Sequence, residues 1–241
     1  MKRILVIGES CKDVFVYCDA VRLAPDVPVP VLNVLHQEEN EGMAMNVLRN
    51  ITIVKDCSII TNDNWESITK TRYVHEATNH TFFRVDTEPN YGIFDTPIDY
   101  KQYEVIVISD YNKGFLTEDD IETICKSHPR VFLDTKKKLG KWAKKAFIIK
   151  INDYEYNNSD PDITNAYKDK IIHTMGGHGC EYNGKRYSVK RMEVKDSSGA
   201  GDAFMAALVV KYVNSQDLEQ SIVYANECAS EVVKHRGVTT I

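Results

Sequence analysis

Apolar residues along this chain come in short unbroken runs, each closed by a glycine or a polar cluster. Residues 4–8, 57–61, 104–109, 130–134 and 146–151 follow this pattern and are expected to be strands. A continuous apolar run of this length, without alternation, fits a parallel strand buried on both faces. Between several of them lie segments with helical periodicity. Residues 44–51 are amphipathic, residues 117–126 open on a capping-box pattern (Thr117-Glu118-Asp119-Asp120), and residues 204–210 are wholly apolar. Leu218, Ile222, Ala225, Ala229 and Val232 recur at helical spacing. Strands alternating with helices predict an α/β sandwich around a mainly parallel sheet.

A second group of β-rich segments does not fit that sheet. Residues 14–18 and 29–35 are separated by Pro25 and Pro28, and Pro30 lies within the second. Proline belongs at sheet edges, so these strands are expected outside the central sheet. Residues 70–74 and 81–86, with Asn79 between them, predict a hairpin. Together these segments, about 12–36 and 70–86, are expected to form a small β-lid on one domain spanning residues 1–241. Residues 180–182 and 186–189 predict a second hairpin around Asn183-Gly184. Residues 157–162 read as loop.

Composition narrows the function. The chain has 241 residues, 43% of them hydrophobic, enough for a sizeable core. A net charge of −5 argues against a nucleic-acid surface. The six cysteines are scattered without CxxC spacing, which points to reduced thiols, a cytoplasmic location and no zinc site. His75-Glu76 and His80 come near a zincin motif, but the spacing is one residue too long and the stretch is β-rich. The N-terminal apolar run is too short for a signal peptide, and no stretch is long enough to span a membrane. No GxxxxGK[ST] sequence is present, which excludes a P-loop kinase by motif.

The strongest chemical signal is Asp196-Ser197-Ser198-Gly199-Ala200-Gly201-Asp202-Ala203, which leads into the apolar helix. Ser197 and Ser198 are candidate caps, and the glycines let a ligand approach the backbone. Free amides and the helix dipole favour an anion there. Asp202, one residue past the last glycine, is placed to take a proton from an attacking hydroxyl. Asp13 follows the first strand, at the end where open α/β sheets bind ligands.

This motif resembles the C-terminal signature of the PfkB, or ribokinase-like, carbohydrate kinases, Asp-(Thr/Ser)-x-Gly-Ala-Gly-Asp. Other segments match the family in order. They are Glu41-Gly42-Met43-Ala44-Met45-Asn46-Val47, Ser109-Asp110-Tyr111-Asn112-Lys113-Gly114, Asp134-Thr135-Lys136, Asn152-Asp153-Tyr154-Glu155 and Thr174-Met175-Gly176-Gly177-His178-Gly179. The resemblance implies a ribokinase-like three-layer sandwich with a β-lid, using ATP and Mg²⁺. It implies that Asp202 is the catalytic base and that Gly199, Ala200 and Gly201 form the anion hole. It assigns the sugar to Asp13, Gly42, Asn46, Asp110 and Lys113. It assigns the nucleotide to Lys136, Asn152, Glu155, Thr174, Gly176, Gly179, Asn226 and Gly237, with Asn152 and Glu155 near Mg²⁺ through water.

Within the family, the stretch Ala24–Val31 and the Lys70-Thr71-Arg72 and Arg84-Val85-Asp86 pair resemble the heptose-phosphate kinase group. That implies D-glycero-D-manno-heptose 7-phosphate as substrate, with Lys70, Arg72 and Arg84 within reach of its phosphate. It also implies a homodimer through the lid and a separate nucleotidyltransferase partner. Two departures keep alternatives open. Met43 replaces a family glycine and is expected to reshape the sugar pocket, and the region after residue 156 is shortened. The alternatives are a kinase for another sugar, or a catalytically weak relative that binds sugar phosphate or nucleotide.

Overall fold

The computed structural model describes residues 3–87, 90–190 and 194–240. Six strands make the parallel part of the central sheet: β1 (Ile4–Gly8), β4 (Cys57–Ile60), β7 (Val105–Asp110), β8 (Val131–Thr135), β9 (Ile148–Asn152) and β10 (Ile171–Thr174). The antiparallel strands β11 (Cys180–Tyr182) and β12 (Lys185–Tyr187) extend one edge, giving the order β12-β11-β10-β9-β8-β7-β1-β4. Alternate residues of each strand feed two separate cores. On one face Ile4, Val6, Val105, Val107 and Phe132 pack against α1 (Ala44–Thr52), α5 (Ala200–Ser215) and α6 (Leu218–Val232). On the other Leu5, Ile7, Ile106, Ile108 and Leu133 pack against α2 (Glu118–Ser127) and the single turn around Trp142. The result is three layers, helix on sheet on helix. Helix α5 is apolar on all sides because it is buried throughout its middle, from Asp202 to Val210.

The lid is a separate sheet of order β3-β2-β5-β6, made from β2 (Ser10–Leu23), β3 (Pro30–Met43), β5 (Thr69–His75) and β6 (Thr81–Asp86). Strands β2 and β3 are each 14 residues long, well beyond the β-rich cores read in the sequence. Long pairing carries their polar residues, such as Glu38, Glu39 and Glu41, where backbone bonding rather than burial specifies the strand. Asp13 therefore lies within a lid strand. Phe15, Tyr17 and Val74 on the lid pack with Val238 near the C-terminus. Asn79 at the hairpin tip donates to the Lys195 carbonyl, and Arg236 donates to the Glu76 carbonyl. The lid is thus fastened to the segment that precedes α5 and to the one that follows α6.

One local expectation changes. Residues 157–162 are not simply loop, because α3 (Asp153–Asn158) and α4 (Pro161–Ala166) run through them. Their caps explain it: Asn152 and Glu155 form a reciprocal capping box, and Asp160 caps α4 just before Pro161. Met43 has φ 62°, a backbone conformation that suits the glycine it replaces. Its side chain is buried in the core with Leu5, Ile7 and Cys11.

Candidate active site

The predicted serine cap is absent. Asp196 accepts from the Ser198 amide, and Gly199, at φ 77°, serves as the cap of α5 with no side-chain bond. A Cβ at Gly199 would lie 2.8 Å from Asn46 Nδ2, so glycine is required there for space as well as for backbone angle. The first intrahelical bond runs from the Ala203 amide to the Gly199 carbonyl, 2.9 Å, and Ala200 closes a turn onto Ser197. The Gly201 and Asp202 amides precede the first intrahelical donor, Ala203, and point out of the helix start. They face a cleft of about 700 Å³ lined by Gly199, Ala200, Gly201 and Asp202.

Asp202 is 5% exposed and both its carboxylate oxygens are held by neutral donors. Asn46 Nδ2 donates to Oδ2 at 3.0 Å and Tyr111 Oη donates to Oδ1 at 2.7 Å. Burial raises the Asp202 pKa above its ordinary value, and the two hydrogen bonds offset part of that rise. Beneath the glycine turn lies Lys150, whose ammonium is 2.9 Å from where a Gly201 Cβ would sit. Lys150 is 3% exposed and pairs with Asp134 at 2.7 Å, its neighbour in the β8–β9 register. Lys136 completes the cluster, 3.4 Å from Asp134 and 2.6 Å from Glu155. Burial alone would raise Asp134, but Lys136 and Lys150 more than reverse this and hold it below its ordinary value.

The other predicted residues divide into three groups. Lys136, Asn152, Thr174, Gly176, Gly179 and Asn226 line the same cleft as Asp202. Asp13 and Gly42 lie together on the paired lid strands, and Asn46 is at Asp202 itself. A Cβ at Gly42 would lie 2.3 Å from Asp13 Oδ2, and the Lys113 amide donates to Glu9. The third group lies elsewhere. Asp110 is enclosed, accepting from Thr135, from the Asn112 amide and from Lys137, so it braces a turn instead of facing the cleft. Gly237 donates to Asp196 and sits near Tyr17, at the base of the lid. Arg72 is engaged by Asp13 at 2.7 Å, and Arg84 by Asp86 at 2.8 Å.

Glu155 accepts from the Asn152 amide and side chain and pairs with Lys136. Both its oxygens are thereby used, which fits an outer contact to Mg²⁺ through water and not direct ligation. Among the described residues no cluster of three His, Cys, Asp or Glu is arranged to hold a metal ion, and no helix is long and apolar enough to cross a membrane.

Three residues of the site were not singled out from the sequence. Glu9 is fully buried and accepts from the Tyr111 amide at 2.7 Å and the Lys113 amide at 2.9 Å. Burial, then the nearby Asp110 charge, raises its pKa. Tyr111 itself and Lys150 are the others. Lys150 left one trace in the sequence, a lone charge inside the apolar run Phe147-Ile148-Ile149-Lys150-Ile151.

Comparison with known proteins places this geometry. The pfkB family carbohydrate kinase profile matches residues 42–241. The bifunctional protein HldE of Helicobacter pylori strain J99 is 28% identical over 295 residues, covering 98% of this chain and 64% of that protein. HldE of a Nitratiruptor species is 28% identical over 294 residues, covering 99% and 63%. The chain therefore spans just under two thirds of the length of these relatives. Among solved structures, ribokinase from Thermotoga maritima superposes with a TM-score of 0.70 at 13% identity, covering 99% of this chain and 95% of that one. Arabidopsis thaliana ribokinase, solved with ribose and ATP, gives 0.70 at 12%, covering 98% and 94%. The structural likeness establishes a ribokinase-like fold, and the profile match across most of the sequence shows that the chain belongs to the pfkB family of carbohydrate kinases.

Proposed function

We propose that this chain transfers the γ-phosphoryl group of ATP to the anomeric hydroxyl of D-glycero-D-manno-heptose 7-phosphate, giving the 1,7-bisphosphate. The observation that carries the reading is Asp202, a buried carboxylate oriented by two neutral donors at the glycine-rich start of α5. The resemblance of the lid segments to the heptose-phosphate kinase group supplies the choice of heptose.

In this reading the nucleotide enters the cleft beside Lys136, Asn152, Thr174, Gly176, Gly179 and Asn226. Asp13, Gly42, Asn46 and Lys113 hold the sugar under the lid. Asp202 takes the proton of the acceptor hydroxyl as its oxygen bonds to phosphorus, and the bond to the ADP oxygen breaks. The Gly201 and Asp202 amides, with the turn through Gly199 and Ala200, face the group in flight, the Ala200 amide itself being held by the Ser197 carbonyl, and Lys150 beneath them adds positive charge. Mg²⁺, when bound with the nucleotide, neutralises phosphate charge. Lys136, held protonated by Asp134 and Glu155 against the effect of burial, carries a fixed charge beside the phosphates.

The lid face opposite Asp13 bears Tyr73, Phe83 and Val85, with Phe83 48% and Val85 51% exposed. This supports a homodimer through the lid. A separate nucleotidyltransferase and a cytoplasmic location complete the reading. A kinase for another sugar is the second reading, because Arg72 and Arg84 are already paired with lid carboxylates and a distal phosphate must displace one of them.

The test is ADP release from ATP and Mg²⁺ with heptose, hexose and pentose phosphates and with the free sugars. Turnover confined to heptose 7-phosphate supports the reading. Turnover with a different acceptor replaces the substrate, and nucleotide binding without turnover favours a binding protein. Two further results are expected. The kcat profile falls as pH drops, with a midpoint above the ordinary aspartate value of 3.8, because the base must be ionised and burial raises its pKa. Gly199→Ala lowers kcat about 100-fold, because its Cβ displaces Asn46 from the base. An unchanged kcat in that variant would show that Asn46 is not needed in its present place.

A further inference from the structure

Tyr111 is fixed at both ends. Its amide donates to the buried Glu9 carboxylate at 2.7 Å, and its hydroxyl donates to Asp202 Oδ1 at 2.7 Å. Two ammonium groups lie against its ring, Lys70 of the lid at 5.0 Å and Lys136 at 5.5 Å from the centroid. The end of β1, the start of α5, the lid and the end of β8 therefore all meet at this one residue. A structural tyrosine needs a partner for its hydroxyl, but a backbone carbonyl would serve. Here the partner is the carboxylate assigned as the base.

We propose that Tyr111 is a positioning residue for the reaction, whose hydroxyl holds the Asp202 carboxylate in the orientation that receives the acceptor's proton. The inference rests on the reading of Asp202 as base. The phenol remains a donor at every working pH, since burial and the charges of Asp202 and Asp134 push its own pKa far up. The groups facing Asp202 are Asn46 from α1, Tyr111 after β7, Asp134 from β8, Lys136 just beyond it, Lys150 from β9 and the Cys11 thiol from β2. Asn46 and Tyr111 favour the ionised carboxylate, as does Lys150, while Asp134 opposes it. Removing the hydroxyl leaves Oδ1 without its donor, frees the carboxylate to rotate and makes its proton harder to lose.

The test uses the intact chain with Phe at position 111, which keeps the ring and its two cation contacts. The first readout needs no substrate: the Asp202 carboxyl is titrated by ¹³C NMR of the free protein, its resonance assigned with Asp202→Asn. Tyr111→Phe is expected to move the midpoint up by about one pH unit, the scale of one lost charge-assisted hydrogen bond. Fluorotyrosine at position 111, a stronger donor, is expected to move it down. A purely structural ring predicts no such ordered pair. With ATP and heptose 7-phosphate, the acid limb of kcat follows the same order, kcat falls about tenfold in Tyr111→Phe, and KM for ATP is unchanged. An Asp202 midpoint that stays put in Tyr111→Phe overturns the inference and leaves the base intact. Full activity of Asp202→Asn would instead overturn the base reading.

Discussion

Asp202→Asn lowers kcat about a thousandfold, the middle of the range for losing a positioned general base. The amide keeps the size of the carboxylate and its bonds can be met. Its oxygen still accepts from Asn46, and its NH₂ donates to Tyr111 Oη once that hydroxyl turns. The fold is therefore expected to survive, and its stability to move in a specific direction. Burial raises the folded-state pKa of Asp202 above the unfolded value near 3.8, so the ionised form is disfavoured in the native protein. Native stability consequently falls as pH rises from the unfolded value through the folded one, and the cost persists above both. The neutral amide carries no such cost. Near pH 7 the variant is expected to melt at the same temperature or higher, and the difference should vanish below pH 3.8. Steady-state kinetics and thermal melts at both pH values check it. A melting temperature well below wild type near neutrality would mean that the carboxylate holds the fold together as well as moving a proton.

Gly8→Ala gives the largest expected loss of stability. Gly8 ends β1 and pairs in register with Ser109 on β7. A Cβ there would lie 1.9 Å from the Ser109 carbonyl oxygen and 2.7 Å from its carbonyl carbon. Neither atom belongs to a flexible side chain, so two central strands must separate to admit the methyl. The expected cost is about 3 kcal/mol, the upper end for overpacking, or a fall in melting temperature of roughly 6–12 °C for a chain of this size. Activity falls too, because Glu9 is the next residue and holds the Tyr111 and Lys113 amides. Circular dichroism melts check the first effect and turnover the second. Wild-type stability would show that the strands can part cheaply at this point.

Which parts of this protein could be read without a structure follows from how far each interaction reaches. Continuous apolar runs located the central strands, because a strand buried on both faces needs no polar position. Prolines kept β2 and β3 out of the central sheet, because a central strand cannot lose an amide donor. Thr117 began α2 through a capping box that spans only four residues. The glycine-rich turn before α5 was legible because its requirements for space and backbone angle are local. Its serine caps were not, because Asp196 and the left-handed Gly199 close that turn in another way.

By itself, then, the sequence determined the α/β layering, the lid and the aspartate at the head of the buried helix, all set by local pattern and backbone chemistry. Only the tertiary structure decided what that aspartate is bonded to. Asn46 lies 156 positions from Asp202, and Tyr111 lies 91 away. Lys150 meets Asp134 only because β8 and β9 are neighbours in register. The same folding turned Asp110 into a brace, occupied Arg72 with Asp13 and sent Met43 into the core. The physical reason is that a buried polar group must find a partner wherever the fold brings one, and nothing in the local sequence records which partner that is.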